Sequence, residues 1–417
     1  MKKLIICLAA FFTLSAAIQA QTVVPFLKKN GKYILVDATS MKPIANVKEF
    51  DKANELEGGF WQLCVGENCG LYNKQGKQLL KPKKLIFRDH RLGNLFISFA
   101  ASDESDPITG LYGLVDTNGI EVVQPKFRFI YRLSEGLINY STHENKSGFV
   151  DQKGKVVIQG IPGSVNDFSD GLARVEKYLP DNSKLYYYVD KTGKTVLKPT
   201  MKDVEWYENF NNNRAYFKQK STDLNGLIDK KGQVIVEAKF QDISYFNNGL
   251  AAAKLNNKYG LIDINGNFVV ANEYDEFESF EKELVLLKKG EFWGAINLKG
   301  KVVIPFKYDK INMHKDGLLI YKNNNDYDLY DNNGQLVFST KVDEEYYIES
   351  IDYGYVTISL EIESLLVSVE GKQFKIPNHK GKATVVKTPN YFEVRFAGGS
   401  EFKNYFMSLD GKVYKAK

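Results

Sequence analysis

The sequence predicts an all-β protein built as a tandem array of about eleven small antiparallel β-units. Two observations point to this fold class: a motif that returns every 34 to 43 residues, and the lack of any amphipathic helical pattern lasting three turns. A third is the aromatic content, since 13% of the 417 residues are Phe, Trp or Tyr. The apolar share of 43% is ordinary for a folded chain and excludes a disordered or collagen-like one.

The repeated motif is an aromatic residue, a glycine, two apolar residues, an aspartate, two variable residues and a second glycine. Clear copies occupy residues 112–119, 226–232, 259–266 and 293–300. Weaker copies end at Gly76, Gly154, Gly193, Gly334, Gly371 and Gly411, and a degenerate first copy covers residues 33–40. The mean spacing is close to 37 residues, so about eleven units fill the chain.

Each unit is predicted to consist of short strands joined by tight turns. In one unit the strands are expected at residues 249–255, 259–262 and 267–270. The aspartate that opens the second turn can accept hydrogen bonds from the following backbone, and the closing glycine can adopt a positive φ. Residues 240–246 carry apolar side chains at a spacing of three, which predicts an irregular or bulged edge.

The pairs Tyr112-Gly113, Tyr259-Gly260 and Trp293-Gly294, together with Val-Ile-Pro-x-x-Tyr-Asp at residues 303–309, resemble the WG-repeat family of bacterial exported β-repeat proteins. The resemblance extends from about residue 111 to 337 and is degenerate at both ends. It implies a repeat scaffold and no particular reaction. It supplies no catalytic residues.

The aromatic residue before the first glycine is expected to seal the contact between successive units, because a 34-residue unit cannot bury its own apolar face. The glycine, having no side chain, leaves room for a bulky ring from a neighbouring strand or unit. A ligand platform is the alternative role for these aromatic residues. They are Tyr33, Tyr112, Tyr186, Tyr259, Trp293, Tyr327 and Phe406.

We expect an open superhelical array, with a closed or split β-propeller as the alternative, because eleven units exceed the roughly four to eight blades of closed propellers. Residues 1–20 are predicted to be a signal peptide, since Lys2 and Lys3 precede an apolar stretch that ends in small residues. Residues 21–60 are predicted to form a degenerate N-terminal capping repeat, 61–338 the WG-type repeats, and 339–417 degenerate C-terminal capping repeats. The chain is therefore expected in the periplasm, at the cell surface or outside the cell, with no transmembrane span.

Cys64 and Cys69 are the two cysteines left after signal-peptide removal, and they flank one hairpin turn. An oxidising compartment and an even cysteine count favour a disulfide between them, with free buried thiols as the alternative. No metal site is expected, because the four histidines lie far apart in the sequence. No cofactor is expected either.

Recurring aspartates are interpreted as turn residues, because asparagine replaces them at Asn73 and Asn297 and makes the same turn bond. These aspartates are Asp37, Asp116, Asp151, Asp190, Asp229, Asp263, Asp331 and Asp410. A separate acidic run is expected to be a solvated face, although two of its members could serve as a glycosidase carboxylate pair. It comprises Glu273, Asp275, Glu276, Glu278, Glu281 and Glu283.

The predicted function is a non-catalytic exported scaffold that presents a binding surface to a protein or glycan of the cell envelope. The alternative is an enzyme that acts on envelope polysaccharide through acidic residues of the β-repeats. Nucleic acid is not an expected partner, because 56 basic residues are scattered among 51 acidic ones. No catalytic residue is predicted.

Overall fold

The structure is a computed structural model that describes most of the chain between residues 23 and 415. The described residues are 23–38, 40–44, 48–100, 110–314, 317–321, 327–331, 333–339, 347–352, 355–359, 364–368, 371–376, 383–387, 391–396, 405–408 and 413–415. The predicted signal peptide and Asp410 lie outside these residues.

The described residues form an all-β structure of eleven antiparallel sheets, ten of them four-stranded, with no helix. This confirms the predicted fold class and the number of units. We call each sheet a unit, number the units along the chain, and call the strands of units 2 to 11 first to fourth in chain order. Each four-stranded unit is a meander, because neighbouring strands in the sheet are also neighbours in the chain.

The strands have the following bounds. Unit 1 contains β1 (Val23–Leu27) and β2 (Tyr33–Asp37). Units 2 to 4 contain β3 (Lys52–Leu56), β4 (Phe60–Val65), β5 (Asn68–Tyr72), β6 (Gln78–Lys83), β7 (Ile86–Leu92), β8 (Leu95–Ala100), β9 (Leu111–Asp116), β10 (Glu121–Phe127), β11 (Phe129–Ser134), β12 (Leu137–Ser141), β13 (Lys146–Asp151) and β14 (Val156–Pro162). Units 5 to 7 contain β15 (Ser164–Val165), β16 (Ala173–Tyr178), β17 (Lys184–Val189), β18 (Thr195–Leu197), β19 (Val204–Tyr207), β20 (Ala215–Gln219), β21 (Asn225–Ile228), β22 (Val234–Phe240), β23 (Asp242–Ile243), β24 (Leu250–Leu255), β25 (Lys258–Asp263) and β26 (Phe268–Tyr274). Units 8 to 11 contain β27 (Glu276–Glu281), β28 (Leu284–Lys289), β29 (Phe292–Asn297), β30 (Val302–Tyr308), β31 (Lys310–His314), β32 (Gly317–Tyr321), β33 (Tyr327–Tyr330), β34 (Leu336–Ser339), β35 (Tyr347–Asp352), β36 (Tyr355–Ser359), β37 (Ser364–Ser368), β38 (Gln373–Ile376), β39 (Ala383–Lys387), β40 (Tyr391–Phe396), β41 (Tyr405–Ser408) and β42 (Val413–Lys415).

The segment predicted to be an irregular or bulged edge is the first strand, at the edge of the sheet, in each of the ten larger units. Its pairing with the second strand shifts register in units 3, 4, 6, 8 and 10. The first strand is as short as two residues in unit 7, where Asp242 pairs with Lys254 and Ile243 with Ala253. A unit of 34 residues holds four strands because its turns are short. Unit length alone therefore does not distinguish this array from a row of propeller blades.

The apolar core is divided among the contacts between consecutive units, which we call joints. Each of the eight joints from unit 1 to unit 9 has its own cluster of buried side chains. In unit 7, Ala251 and Ala253 pack towards unit 6 while Ala252 packs towards unit 8. The second strands are therefore buried on both faces, which explains their unbroken apolar runs.

In units 3 to 10, the second glycine of the repeated motif closes the joint by lying against the fourth strand of the preceding unit. Gly266 has a φ of +78°, and a Cβ on it would lie 2.5 Å from Cγ2 of Val236. Gly334 stands in the same relation to Val303, at 2.6 Å. The turn thus needs glycine for two reasons, the positive φ and the lack of space at the joint.

The first glycine of the motif faces a bulge in the fourth strand of its own unit. Tyr259 pairs with Tyr274 and Leu261 with Val270, so the fourth strand carries two extra residues opposite Gly260. A Cβ on Gly260 would lie 2.5 Å from the carbonyl oxygen of Val270. The backbone of the bulge occupies the space that the sequence pattern assigned to a ring, although an aromatic side chain also reaches the glycine in four other units. Those contacts are Tyr72 at Gly70, Tyr140 at Gly148, Phe217 at Gly226 and Phe306 at Gly294.

The two ends of the array do not share a sheet in the part of the chain that the structure describes. Unit 1 is completed only by single bridges from β2 to Pro43 and Phe50. The domain division remains a prediction, and the structure has unit 2 begin at Lys52 and unit 9 end at Ser339. No segment of the described chain forms a helix able to cross a lipid bilayer.

The two roles of the turn glycine can be separated by a matched pair of substitutions. Gly249 has a φ of +80°, and a Cβ added to it would have no atom within 4 Å, so Gly249→Ala tests the backbone alone. We expect it to lower the free energy of unfolding by about 1 kcal/mol. Gly266→Ala adds the clash with Val236 and should cost about 3 kcal/mol.

Urea unfolding followed by tryptophan fluorescence measures both effects. Equal costs for the two variants would contradict the role of Gly266 in the joint.

Candidate binding surface

The first strands of the units combine one constant buried position with flanking positions that vary. Ile130, Val165, Tyr207 and Ile243 are buried at the constant position in units 4 to 7. The flanking positions, one residue before and one after, form what we call the first-strand row. In units 4 to 8 the row consists of Phe129 and Tyr131, Ser164 and Asn166, Trp206 and Glu208, Asp242 and Ser244, and Glu276 and Glu278.

In units 5 and 6, a side chain of the preceding unit holds the first strand in place. The amide of Asn139 donates to the carbonyl of Val165 at 2.7 Å, and the guanidinium of Arg174 donates to the carbonyl of Tyr207. Asn139 and Arg174 occupy equivalent positions on the second strands of units 4 and 5. These bonds satisfy backbone groups of a short strand. The side chains of the first-strand row can therefore differ in charge and polarity from unit to unit without loss of the fold.

At the junction of units 3 and 4 the surface is basic and aromatic. The Arg88 guanidinium donates to the hydroxyl of Tyr112 at 3.1 Å, and its carbon lies 5.7 Å from the centre of that ring. Arg128 lies over the Phe129 ring at 5.4 Å. Ring centres are 6.1 Å apart for Tyr112 and Phe129 and 6.2 Å for Phe129 and Tyr131. Phe129 and Tyr131 are 42% and 46% exposed, so this patch faces solvent.

At the junction of units 6 and 7 the surface is aromatic and acidic. The Tyr216 ring contacts Trp206 at 5.5 Å and Tyr245 at 6.1 Å, both edge to face. Burial raises the pKa of the Tyr245 hydroxyl, and the nearby Glu208 carboxylate raises it further. Tyr245 is 52% exposed. The two junctions therefore offer rings in opposite electrostatic settings.

The acidic run of unit 8 is an ion-paired, largely exposed face. Its aromatic residues turn towards the core, since Tyr274 is buried and Phe277 is half-buried. Burial raises the pKa of the Glu281 carboxyl. Three of the six carboxylates have lysine partners: Glu273 with Lys289 at 3.0 Å, Asp275 with Lys258 at 2.5 Å and Glu276 with Lys288 at 2.7 Å.

Cys64 and Cys69 are directly opposite each other on β4 and β5. Their sulfur atoms are 2.11 Å apart, at disulfide distance, and both residues are buried. The corresponding positions in unit 7 are Lys254 and Tyr259, which form a cross-strand pair with the ammonium 5.3 Å from the ring centre. The cysteines therefore occupy the place that a cation and a ring take in another unit.

The recurring aspartates accept hydrogen bonds within their own turns, as the sequence predicts. Asp263 Oδ1 accepts from the backbone N–H groups of Asn265 and Asn267 at 2.8 and 2.9 Å. Asn297 accepts from Lys299 and Lys301 in the same way. The structure describes the same bonds for Asp116, Asp151, Asp190, Asp229, Asp331 and Asn73. Asp37 differs, because its turn is one residue longer and it bonds Ser40.

A second aspartate role was not predicted. Asp275 accepts from the backbone N–H of Gly290 at 2.8 Å, and Asp51 accepts from Gly66 at the same distance. Each aspartate follows the last aromatic residue of a unit and caps the hairpin between the second and third strands of the next. The recurring Tyr-Asp dipeptide at the end of the Val-Ile-Pro-x-x-Tyr-Asp phrase was the available signal.

The rings before the first glycine contact the following unit, in agreement with a sealing role. Tyr259 lies 6.0 Å from Phe277 of unit 8, and Tyr186 lies 6.0 Å from Tyr207 of unit 6. Tyr33, Tyr112, Tyr259 and Trp293 remain half-buried, however, and the side chains of Tyr327 and Phe406 lie outside the described residues. Deeper sealing comes from fully buried rings such as Phe168, Phe210, Phe240 and Tyr308.

Five segments of the chain match the family described as WG containing repeat: residues 112–142, 148–178, 226–259, 259–291 and 293–327. No curated protein matches the chain. The chain is a β-repeat scaffold.

Solved structures similar to this chain show low identity. One is described as the crystal structure of the eukaryotic initiation factor, with 11% identity, a TM-score of 0.41 and coverage of 95% of this chain and 96% of that chain. BamB from Moraxella catarrhalis has 11% identity and a TM-score of 0.34 over 68% of this chain and 92% of that chain. Hsv2 from Kluyveromyces lactis has 11% identity and a TM-score of 0.28 over 61% and 98%. At such identities and TM-scores, these likenesses say nothing about what this chain binds.

The Cys64–Cys69 pair should be oxidised when residues 21–417 are produced in an oxidising compartment. Alkylation of the unreduced, denatured chain should label neither cysteine, and labelling after reduction should add two groups, as read by mass spectrometry. Cys64→Ser/Cys69→Ser should lower the free energy of unfolding by ~2 kcal/mol, because the pair closes a short loop. Two thiols labelled without reductant would contradict the disulfide.

The turn bond of Asp263 should be replaceable by asparagine but not by alanine. Asp263→Asn should change the free energy of unfolding at pH 7 by less than about 0.5 kcal/mol, whereas Asp263→Ala should cost about 1 kcal/mol. Burial opposes ionisation of this carboxyl, but hydrogen bonds from Asn267 and Asn265 outweigh it and lower its pKa.

The lowered pKa gives the bond a pH dependence with a definite sign. The stabilisation by Asp263 is present above the ordinary carboxyl pKa and is lost as the pH falls through the lowered value. Urea unfolding at pH 7 and near pH 3 should show that the wild type loses more stability on acidification than Asp263→Asn. Equal losses would contradict the turn role.

Proposed function

We propose that this chain is an exported, non-catalytic scaffold whose first-strand row binds a protein or glycan of the cell envelope. The observation that supports this most directly is the row itself. Its backbone is held by the buried position and, in units 5 and 6, by side-chain bonds from the preceding unit, while its surface changes from basic and aromatic to acidic. Exposed aromatic rings beside arginine, as at Phe129, are residue types that binding surfaces favour.

The absence of a catalytic role is part of the proposal. A glycosidase needs two carboxyl groups set about a sugar, one of them with a raised pKa. In the acidic run, Glu273, Asp275 and Glu276 have lysine partners. Glu281 has a raised pKa, but it lies among lysine-paired and solvent-exposed carboxylates of a surface strand. The geometry supports an ion-paired face better than an acid and its nucleophile.

The test compares variants of the row with variants of another exposed surface. One variant carries Phe129→Ser and Tyr131→Ser, and a second carries Trp206→Ser in the row with Tyr245→Ser directly beside it. The control carries Val157→Ser and Val269→Ser on exposed fourth strands. We expect at least one row variant to lose about tenfold in affinity for isolated envelope fragments, while the control binds as the wild type does.

Binding is measured by sedimentation of labelled mature protein with the fragments. Circular dichroism of each variant confirms that it is folded. Equal binding by all variants would contradict the role of the row. Release of reducing sugar ends from the fragments would favour the enzyme instead.

A further inference from the structure

Two arginines of the patch at the junction of units 3 and 4 have no acidic partner in the part of the chain that the structure describes. Among the described residues, no carboxylate lies within ion-pair distance of Arg88 or Arg128, while many surface lysines have one. The patch is therefore a local positive surface on a chain whose overall charge is only +5.

Both arginines lie beside rings of the patch. Arg88 and Arg128 each lie near a ring, and the two rings, Tyr112 and Phe129, are neighbours at 6.1 Å. A guanidinium held against a ring keeps N–H donors free in its own plane, where a carboxylate can accept two of them. The patch is thus suited to a ligand in which carboxylates lie on either side of a group that can stack on the rings.

The exposed rings indicate what kind of group the ligand carries between its carboxylates. Phe129 and Tyr131 present aromatic surface to solvent, with their centres 6.2 Å apart. The apolar C–H face of a pyranose ring stacks on such surfaces, while its hydroxyls remain in water. A carboxylated sugar therefore matches both the rings and the arginines.

We propose that the junction of units 3 and 4 binds an acidic polysaccharide through Arg88, Arg128, Phe129 and Tyr131. This rests on the proposed function and names the class of ligand for one part of the first-strand row. Single-stranded nucleic acid fits the patch less well, because its affinity comes from many phosphate contacts along a continuous basic groove. Here the basic surface is confined to one junction, and the row is acidic by unit 8.

The test measures the affinity of the mature protein for a polyuronate oligosaccharide by titration calorimetry at several salt concentrations. The comparison ligands are the same oligosaccharide with its carboxyl groups reduced to alcohols, a poly-glutamate peptide and a single-stranded oligonucleotide. We expect binding to the polyuronate only, or at least tenfold more tightly than to the other three.

Two variants separate charge from stacking. Arg88→Gln/Arg128→Gln should weaken polyuronate binding at least tenfold and should reduce its salt dependence, since two charge contacts are lost. Phe129→Ala/Tyr131→Ala should weaken binding by a similar factor and leave the salt dependence unchanged. Lys202→Gln/Lys220→Gln, which removes the same charge from another exposed surface, should bind as the wild type does.

Three results would overturn the proposal: no binding to polyuronate, equal binding to poly-glutamate or the oligonucleotide, or an unchanged affinity in Arg88→Gln/Arg128→Gln. A separate result distinguishes failure of this proposal from failure of the proposed function. If Trp206→Ser/Tyr245→Ser still reduces binding to envelope fragments while polyuronate does not bind, the scaffold proposal stands and the acidic-polysaccharide site is wrong.

Discussion

The close contact between the turn glycine of each unit and the fourth strand of the preceding unit is the constraint on which the structure depends. It recurs at Gly193 with Ile158, Gly232 with Leu197 and Gly300 with Val270, at 2.9 to 3.2 Å from the position of an added Cβ. Because the contact is so short, successive sheets are brought close enough to bury both faces of the second and third strands. A repeat protein without one central core gains its stability from such nearest-neighbour joints.

This arrangement explains the large aromatic content. It also means that the aromatic content alone is no evidence for ligand binding, because many of the rings serve the fold. Rings such as Phe240 and Tyr308 are completely buried at joints and serve the fold. Others remain exposed, such as Phe129 and Tyr131 on the first-strand row and Tyr245 beside it. Only this second group is available for binding, and the residues beside it, arginine in one place and glutamate in another, give each junction its own chemistry.

The parts of the structure that depend on local chemistry could be predicted from the sequence. The Asp263 turn, its positive-φ glycine and the pairing of Cys64 with Cys69 each depend on a few adjacent residues. The short first strand could not be predicted in the same way, because it is held by side chains of the preceding unit, as Asn139 holds Val165. The basic and aromatic patch could not be predicted for the same reason: Arg88 and Phe129 are 41 positions apart in the sequence, belong to different units, and each contact Tyr112.

The central claim, that the units are equivalent and held by nearest-neighbour joints, is tested most directly by deletion of one whole unit. Removal of residues 241–274 joins Phe240 to Asp275 and places Gly300 against Val236, the residue that Gly266 contacts in the intact chain. The account predicts a folded, monodisperse protein whose β-sheet circular dichroism per residue is unchanged. An unfolded or aggregated product would show that stability depends on a closed or global structure and would contradict the account.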